Sequence, residues 1–436
     1  MEDLLAARIQ MASSLAFHII FACIGMAMPF FMATSHYLWL KTNKKTYYDL
    51  TKAWSKGVAI FFAVGAVSGT VLSFELGLLW PGFMEHAGAI IGMPFSWEGT
   101  AFFIEAIALG LFLYGWDKIP PWIHWSCGLV VGLSGLASGF FVVCANAWMN
   151  SPTGFEWVNG EAINIDPWRA MFNDRFLRMG IHMLIASFQA TGFAVAGLHA
   201  WRLLKGKKLD FHRKARNIAL VFGSIAALIQ PLSGDILAKE TAEKQPLKLA
   251  AMEAHFETEK GASIVIGGIP NMEKEIVEYA IKIPYVLSIL AFGDPNAEVK
   301  GLKDFPRDLW PPVTVTHMSF QIMIGIGSFL AAVGALALYL MYKKKANWLN
   351  DKRFLALLSL CTPMGFIALE AGWVVTEVGR QPWIIYGVLK TKDALSPMPG
   401  LMYPMMMFFA VYLILALMLV WLMRRQILAL EASSNV

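Results

Sequence analysis

Cysteine is nearly absent from this 436-residue chain. Cys23, Cys127, Cys144 and Cys361 each stand alone inside an apolar run. That spacing excludes a Cys-x-x-Cys metal site, a c-type haem attachment and a disulfide framework, and leaves small buried packing residues. Charge is scarce as well: 15% of residues, where soluble domains carry about 25%. An ordinary soluble protein is thereby excluded. The N-terminal MEDLLAARIQ is acidic and amphipathic, and no small-residue cleavage site follows it, so a secretory signal is not expected. No hydrophilic stretch is long enough for a separate soluble domain. No internal repeat is visible, which weighs against inverted-repeat transporter folds.

What is present is apolar sequence, 57% of the chain. A membrane helix needs about 20 such residues. Segments near 12–39, 54–79, 95–116, 123–147, 179–203, 217–236, 313–342, 354–376 and 401–423 qualify. The expected fold is an all-α integral membrane protein with nine transmembrane helices. The net charge of +5 is not a nucleic-acid footprint, because the loops alternate: those after the odd-numbered spans hold 20 of the 36 basic residues. Nine of the other 16 lie in one long loop, which counts little for topology. The basic side is read as cytoplasmic, with the N-terminus outside and the C-terminus inside. Three regions follow: helices 1–6 over 1–236, an outer loop over 237–312 expected to be an ordered lid or docking loop, and helices 7–9 over 313–436. A shorter outer loop covers 148–178.

Ionisable residues inside spans are costly and mark functional interiors. His18, Glu75, Glu98, Glu105, His182, Glu370 and Glu377 are of this kind. By these span limits His18, Glu98, His182 and Glu377, from four helices, lie toward the outer side. Glu98 and Glu105 are seven apart, as are Glu370 and Glu377, so each pair forms a column on one helix face suited to proton relay. A membrane histidine can ligate haem, and His with Met gives a low-spin haem. HMSFQIMIGIG supplies Met318 and Met323. Arg8, Arg178 and Arg380 at the boundary suit propionates. Taken singly, each residue has a plainer reading: histidines bond neighbouring helices, methionines pack, and boundary carboxylates face water. The histidine pattern excludes a haem–copper centre and a four-helix dihaem cytochrome b. A haem-free proton- or cation-coupled transporter, or a haem-bearing sensor, stays open on these residues alone.

The motifs narrow this. GWVVTEVGRQPW (372–383) closely resembles the signature of cytochrome bd-type quinol oxidase subunit I. ARIQMASSLAFHII, WEGTAFFIEA, ANAWMNSPTGF, LRMGIHMLIASF, QIMIGIG and QPLKLAAMEAHFETE resemble the family's other motifs in order along the whole chain. The short outer loop resembles the cyanide-insensitive-like branch.

The resemblance implies a terminal oxidase of a bacterial or archaeal cell membrane. It would oxidise quinol outside and reduce O2 to water with cytoplasmic protons, without pumping. It implies haem b558 between His182 and Met323, and a high-spin pair, haem b595 and haem d (or a third haem b), served by His18, Glu98 and Glu377. Arg8 and Arg380 become haem-site arginines. Lys248 and Glu253 become the quinol pair, and Glu105 the proton-entry relay. Asn146 falls in the turn after span 4. Subunit II, and small single-helix subunits, are the implied partners, with lipid around them and no nucleic acid. Two departures stand out: Gln321 lies where family members often carry Arg, and the outer loop is short.

Overall fold

The computed structural model describes residues 2–158, 161–206 and 209–432. Among these, nine helices are long and apolar enough to cross a membrane. They are α1 (Glu2–Thr42), α2 (Lys45–Leu79), α3 (Pro81–Tyr114), α4 (Pro121–Asn150), α5 (Phe176–Leu204), α6 (Asp210–Lys244), α7 (Val313–Tyr342), α8 (Lys352–Val378) and α9 (Met402–Gln426). The nine expected spans are therefore all present. In α8 the helix breaks between Leu360 and Met364, where Pro363 has no N–H to donate.

Small residues set the closest approaches. A Cβ on Gly192 of α5 would lie 2.4 Å from the Gly223 Cα of α6, so α5 and α6 touch backbone to backbone. Two apolar clusters hold the bundle. One joins Phe31, Trp54, Phe112 and Phe193 across α1 to α5. The other joins Phe83, Ala87, Trp148, Ile385 and Leu389 beneath the longer loops.

The helices overrun the expected limits. α3 begins at Pro81 rather than near residue 95, because its first turns pack into that second cluster instead of facing lipid. α6 runs on to Lys244 rather than ending near 236, so the long loop starts at Gln245. The polar residues of that extra length are held by neighbours: Glu240 is buried between Arg175 at 3.5 Å and Arg178 at 2.9 Å.

The long loop is ordered. Its expected helical start is present as a short helix, Pro246–Glu253. Beyond it lies a β-hairpin with strands Ile264–Asn271 and Ile276–Ile283, then a short helix Val286–Phe292. The hairpin strands are antiparallel, with Ile266 opposite Ile281.

Candidate functional site

The two membrane histidines share one device. His18 Nδ1 lies 3.0 Å from Ser68 Oγ of α2. That hydroxyl donates to the Val64 carbonyl at 2.8 Å, so it accepts from His18. His182 Nδ1 lies 2.7 Å from Ser233 Oγ of α6, whose hydroxyl reaches the Gln230 carbonyl at 3.2 Å. The tautomer protonated at Nδ1 satisfies both serines and keeps the Nε2 lone pair, the form a metal ligand needs. Gln230 Nε2 hydrogen-bonds the His182 Nε2 at 3.0 Å.

Glycines make room beside two of the candidate ligands. A Cβ on Gly69 would stand 3.0 Å from His18 Cε1, and one on Gly372 of α8 would stand 3.0 Å from Met323 Sδ. Imidazole and thioether on separate helices are the donor set of a low-spin haem.

Glu377 ends α8. Asn146 Nδ2 of α4 donates to its Oε1 at 2.6 Å, and Arg380 Nη2 donates to its Oε2 at 2.6 Å. Arg380 is buried, and its Nε and Nη1 have no hydrogen-bond partner among the described residues. Such orphaned guanidinium donors fit the propionates of a haem. The residues present therefore fit the group that the motifs imply.

The other carboxylates descend from there. Ser138 of α4 donates to Glu98 Oε1 at 3.2 Å. Ser138 precedes Asn146 by eight residues, so Glu98 lies about 12 Å deeper than Glu377 along α4. The sequence puts Glu98 toward the outer side; the early start of α3 at Pro81 places it further in. Glu105 is buried deeper still, its two oxygens 3.4 Å from the place a Cβ on Gly135 would take. Glu370 also lies inward, with Oε1 buried and unpartnered among the described residues. Glu75 is fully buried under Gln10 and Ser14 of α1, at 3.0 and 2.8 Å.

Lys248 and Glu253 share the short helix but point apart. Lys248 Nζ reaches the Thr376 carbonyl at 3.1 Å and Asn150 Oδ1 at 3.5 Å, beside the end of α8. Burial, with Arg175 and Arg380 nearby, holds its ammonium well below the usual lysine range. Glu253 faces the hairpin at Val265, and burial pushes its carboxyl up to about 7. Its Oε2 has no partner among the described residues. Arg8 is exposed on α1.

Four further residues contribute: His317, Arg175, Ser68 and Ser233. His317 is fully buried, with Nδ1 2.9 Å from the Met252 carbonyl and Nε2 3.4 Å from the Gly267 carbonyl, so its ring packs between the short helix and the hairpin and donates to one of the two. Arg175 is buried beside Glu240 and donates to Thr241 at 3.0 Å. Ser68 and Ser233 orient the histidines. No local signal marks these serines, since their partners are about fifty positions away. Gln321, in the place of an arginine, clamps the hairpin backbone: Gly267 N–H donates to it at 3.0 Å and it donates to the Val265 carbonyl at 2.9 Å.

Comparison with known proteins places the chain in a family. The family model for cytochrome bd terminal oxidase subunit I matches residues 6–430. A putative cytochrome bd menaquinol oxidase subunit I of Bacillus subtilis is 34% identical over 97% of this chain and 96% of its own. A cytochrome bd ubiquinol oxidase subunit 1 of the same organism is 34% identical over 98% of this chain and 94% of its own. The solved bd oxidase from Geobacillus thermodenitrificans superposes with a TM-score of 0.90 at 39% identity, covering 97% of this chain and 98% of that one. With nine membrane helices in that fold and the motifs carried in order, the chain belongs to the cytochrome bd terminal oxidase subunit I family.

Proposed function

We propose that the chain is the three-haem subunit of a quinol:oxygen oxidoreductase, with its N-terminus and long loop outside and its C-terminus in the cytoplasm. His182 and Met323 hold haem b558. His18, Glu98 and Glu377 serve haem b595 and haem d, or a third haem b in place of haem d. When bound, the haems carry electrons from quinol and reduce O2 to water. The single observation that carries this reading is that a serine of the neighbouring helix anchors Nδ1 of each membrane histidine, at 3.0 Å for His18 and 2.7 Å for His182.

The protein's own part is to position groups and move protons. Arg380 offers two unused N–H groups to propionate while neutralising Glu377. Arg8, at the start of α1, stands as a second haem-site arginine. Lys248 and Glu253 bind quinol at the outer loop, and Glu253, near its own midpoint at neutral pH, takes a quinol proton and releases it outside. Glu105, deepest of its column, receives protons from the cytoplasm and passes them to Glu98. Electrons and protons then meet from opposite faces, so charge separates without a pump. The family works with a subunit II, and the almost uncovered α9 supports a protein neighbour there; small single-helix subunits complete the proposed assembly. Family membership leaves the haem-free transporter alternative without support.

A dithionite-reduced minus oxidised visible spectrum of the complex with subunit II tests the proposal. One low-spin b haem and two high-spin haems, one absorbing toward the red, are expected. Absence of haem from a folded preparation would overturn it.

A further inference from the structure

The hairpin 264–283 lies at an unusual height. Its first strand is held by His317 and Gln321 of α7, through the Gly267 carbonyl, the Gly267 N–H and the Val265 carbonyl. Gln321 is eight residues past Val313, where α7 begins, so the contact sits about 12 Å along the helix from its outer end. Around that height the outward residues of α7 are Ile322 and Ile324, both exposed aliphatics. A soluble loop resting on the bundle would not reach down to that level.

The surface of the hairpin matches this height. Ile266 and Ile281 face each other across the strands and are 49% and 67% exposed. Tyr279 is 91% exposed. The short helix that follows adds Ile289, Leu290 and Phe292, all exposed. The turn at the far end is polar: Arg307 of the following loop bonds Glu275 at 2.6 Å, and within the hairpin Lys274 bonds Glu278 at 3.0 Å. The apolar face with Ile266 and Ile281 is therefore next to a membrane helix; the exposed charge at that end, Lys282, lies across from Val265 on the other face of the ribbon.

We propose that the hairpin 264–283 and the short helix Val286–Phe292 are seated in the outer leaflet of the membrane, where acyl chains and headgroups cover Ile266, Tyr279, Ile281 and Phe292. The exposed apolar surface continues the lipid-facing surface of α7. On the edge facing α7 the backbone groups are met: Gln321 takes the Gly267 N–H and the Val265 carbonyl, and His317 Nε2 faces the Gly267 carbonyl. An amide is suited to this, because it both donates and accepts, and an arginine at 321 could not accept from Gly267. One consequence rests on the quinol reading above: the hairpin strand beside Glu253 then forms the wall between that carboxyl and lipid, so a long-tailed quinol reaches the site along the hairpin.

The test places a nitroxide on Ile281→Cys in the whole complex, in nanodiscs of phosphatidylethanolamine and phosphatidylglycerol. Ile322→Cys serves as the lipid reference and Lys274→Cys as the water reference. Collisions with O2 should be frequent at 281 and collisions with a soluble nickel chelate rare, as at 322. A nickel response like that at 274, or suppression of both collisions by a covering protein, would overturn the proposal. In parallel, Ile266→Asp with Ile281→Asp should raise KM several-fold for a long-tailed quinol and leave KM for a tail-less quinol unchanged. An equal rise for both overturns the approach along the hairpin. If the wild-type complex oxidises neither quinol, it is the quinol reading that fails, and the nitroxide result still decides the seating.

Discussion

Ser233 Oγ lies 2.7 Å from His182 Nδ1 and accepts its proton, because the hydroxyl itself is directed at the Gln230 carbonyl. The bond does two things. It favours the tautomer with a lone pair on Nε2, which Gln230 Nε2 meets at 3.0 Å, and it raises the basicity of that nitrogen. Ser233→Ala should therefore weaken haem at this position by about 10–100-fold and raise the midpoint potential of what remains. Ser233→Thr should restore both. Haem stoichiometry and a redox titration of the low-spin band check this; an unchanged potential in the alanine variant would show that the serine only packs.

Met323 is tested through its neighbour. The Gly372 backbone leaves Met323 Sδ its place, and a Cβ there would approach to 3.0 Å. Gly372→Val should displace the thioether without removing it. The low-spin band should shift or broaden and its potential fall, in the same direction as Met323→Leu. If Gly372→Val leaves the reduced α-band as in wild type while Met323→Leu changes it, displacement at that point is not felt by the haem.

Glu377 and Arg380 stabilise one another, one turn apart at the end of α8. Removing one partner of a buried pair costs about 3–5 kcal/mol, and Glu377 is partly exposed, so the lower end applies. Arg380→Ala should lower the thermal midpoint and reduce high-spin haem content while the low-spin signal persists. Arg380→Lys should keep the charge but lose the fork geometry, and so recover stability more fully than haem. Loss of all haems together in both variants would mean that Arg380 holds the fold rather than the site.

Much of this architecture is written in the chain. Nine apolar runs give nine helices because lipid requires every backbone group to be satisfied within its own helix. The carboxylate columns are legible because seven residues make two turns. What is not legible depends on partners distant in sequence. Nothing around Pro81 announces that α3 starts in the loop layer, since that depends on Ile385 and Leu389. Ser68 and Ser233 look like any other helix serines. The hairpin 264–283 reads as turn-rich loop because its register is fixed by its own pairing and by Gln321. Lys248 and Glu253 are named together by their motif, yet five residues on a helix turn them to different neighbours.

His317 is a positioning residue in this view, packed between Met252 of the short helix and Gly267 of the hairpin. His317→Ala should raise KM for quinol with little change in the haem spectra, because it loosens both elements that frame Glu253. His317→Gln keeps one donor and should recover part of the loss. Steady-state quinol oxidation alongside the reduced spectrum separates the two effects; a fall in kcat alone, at unchanged KM, would argue against positioning.

Glu253 makes the pH dependence specific. Burial pushes its carboxyl up to about 7. A base must be ionised to accept a proton, so quinol oxidation should climb as pH rises toward 7 and level off above it. Stability moves the other way. The folded carboxyl binds its proton more tightly than the unfolded one, so its contribution is fully present below the ordinary glutamate value. It is lost as pH rises from there through about 7. Glu253→Gln should therefore abolish the rise in rate, flatten the fall in thermal midpoint across that window, and leave all haems bound. At pH 8 the variant should be at least as stable as wild type, since it no longer ionises a buried group. Rate profiles and melting curves on the same preparations decide this. A variant that loses stability at pH 8 would show the carboxylate to be held by a partner, and a rate profile still rising toward 7 would assign the titration to another group.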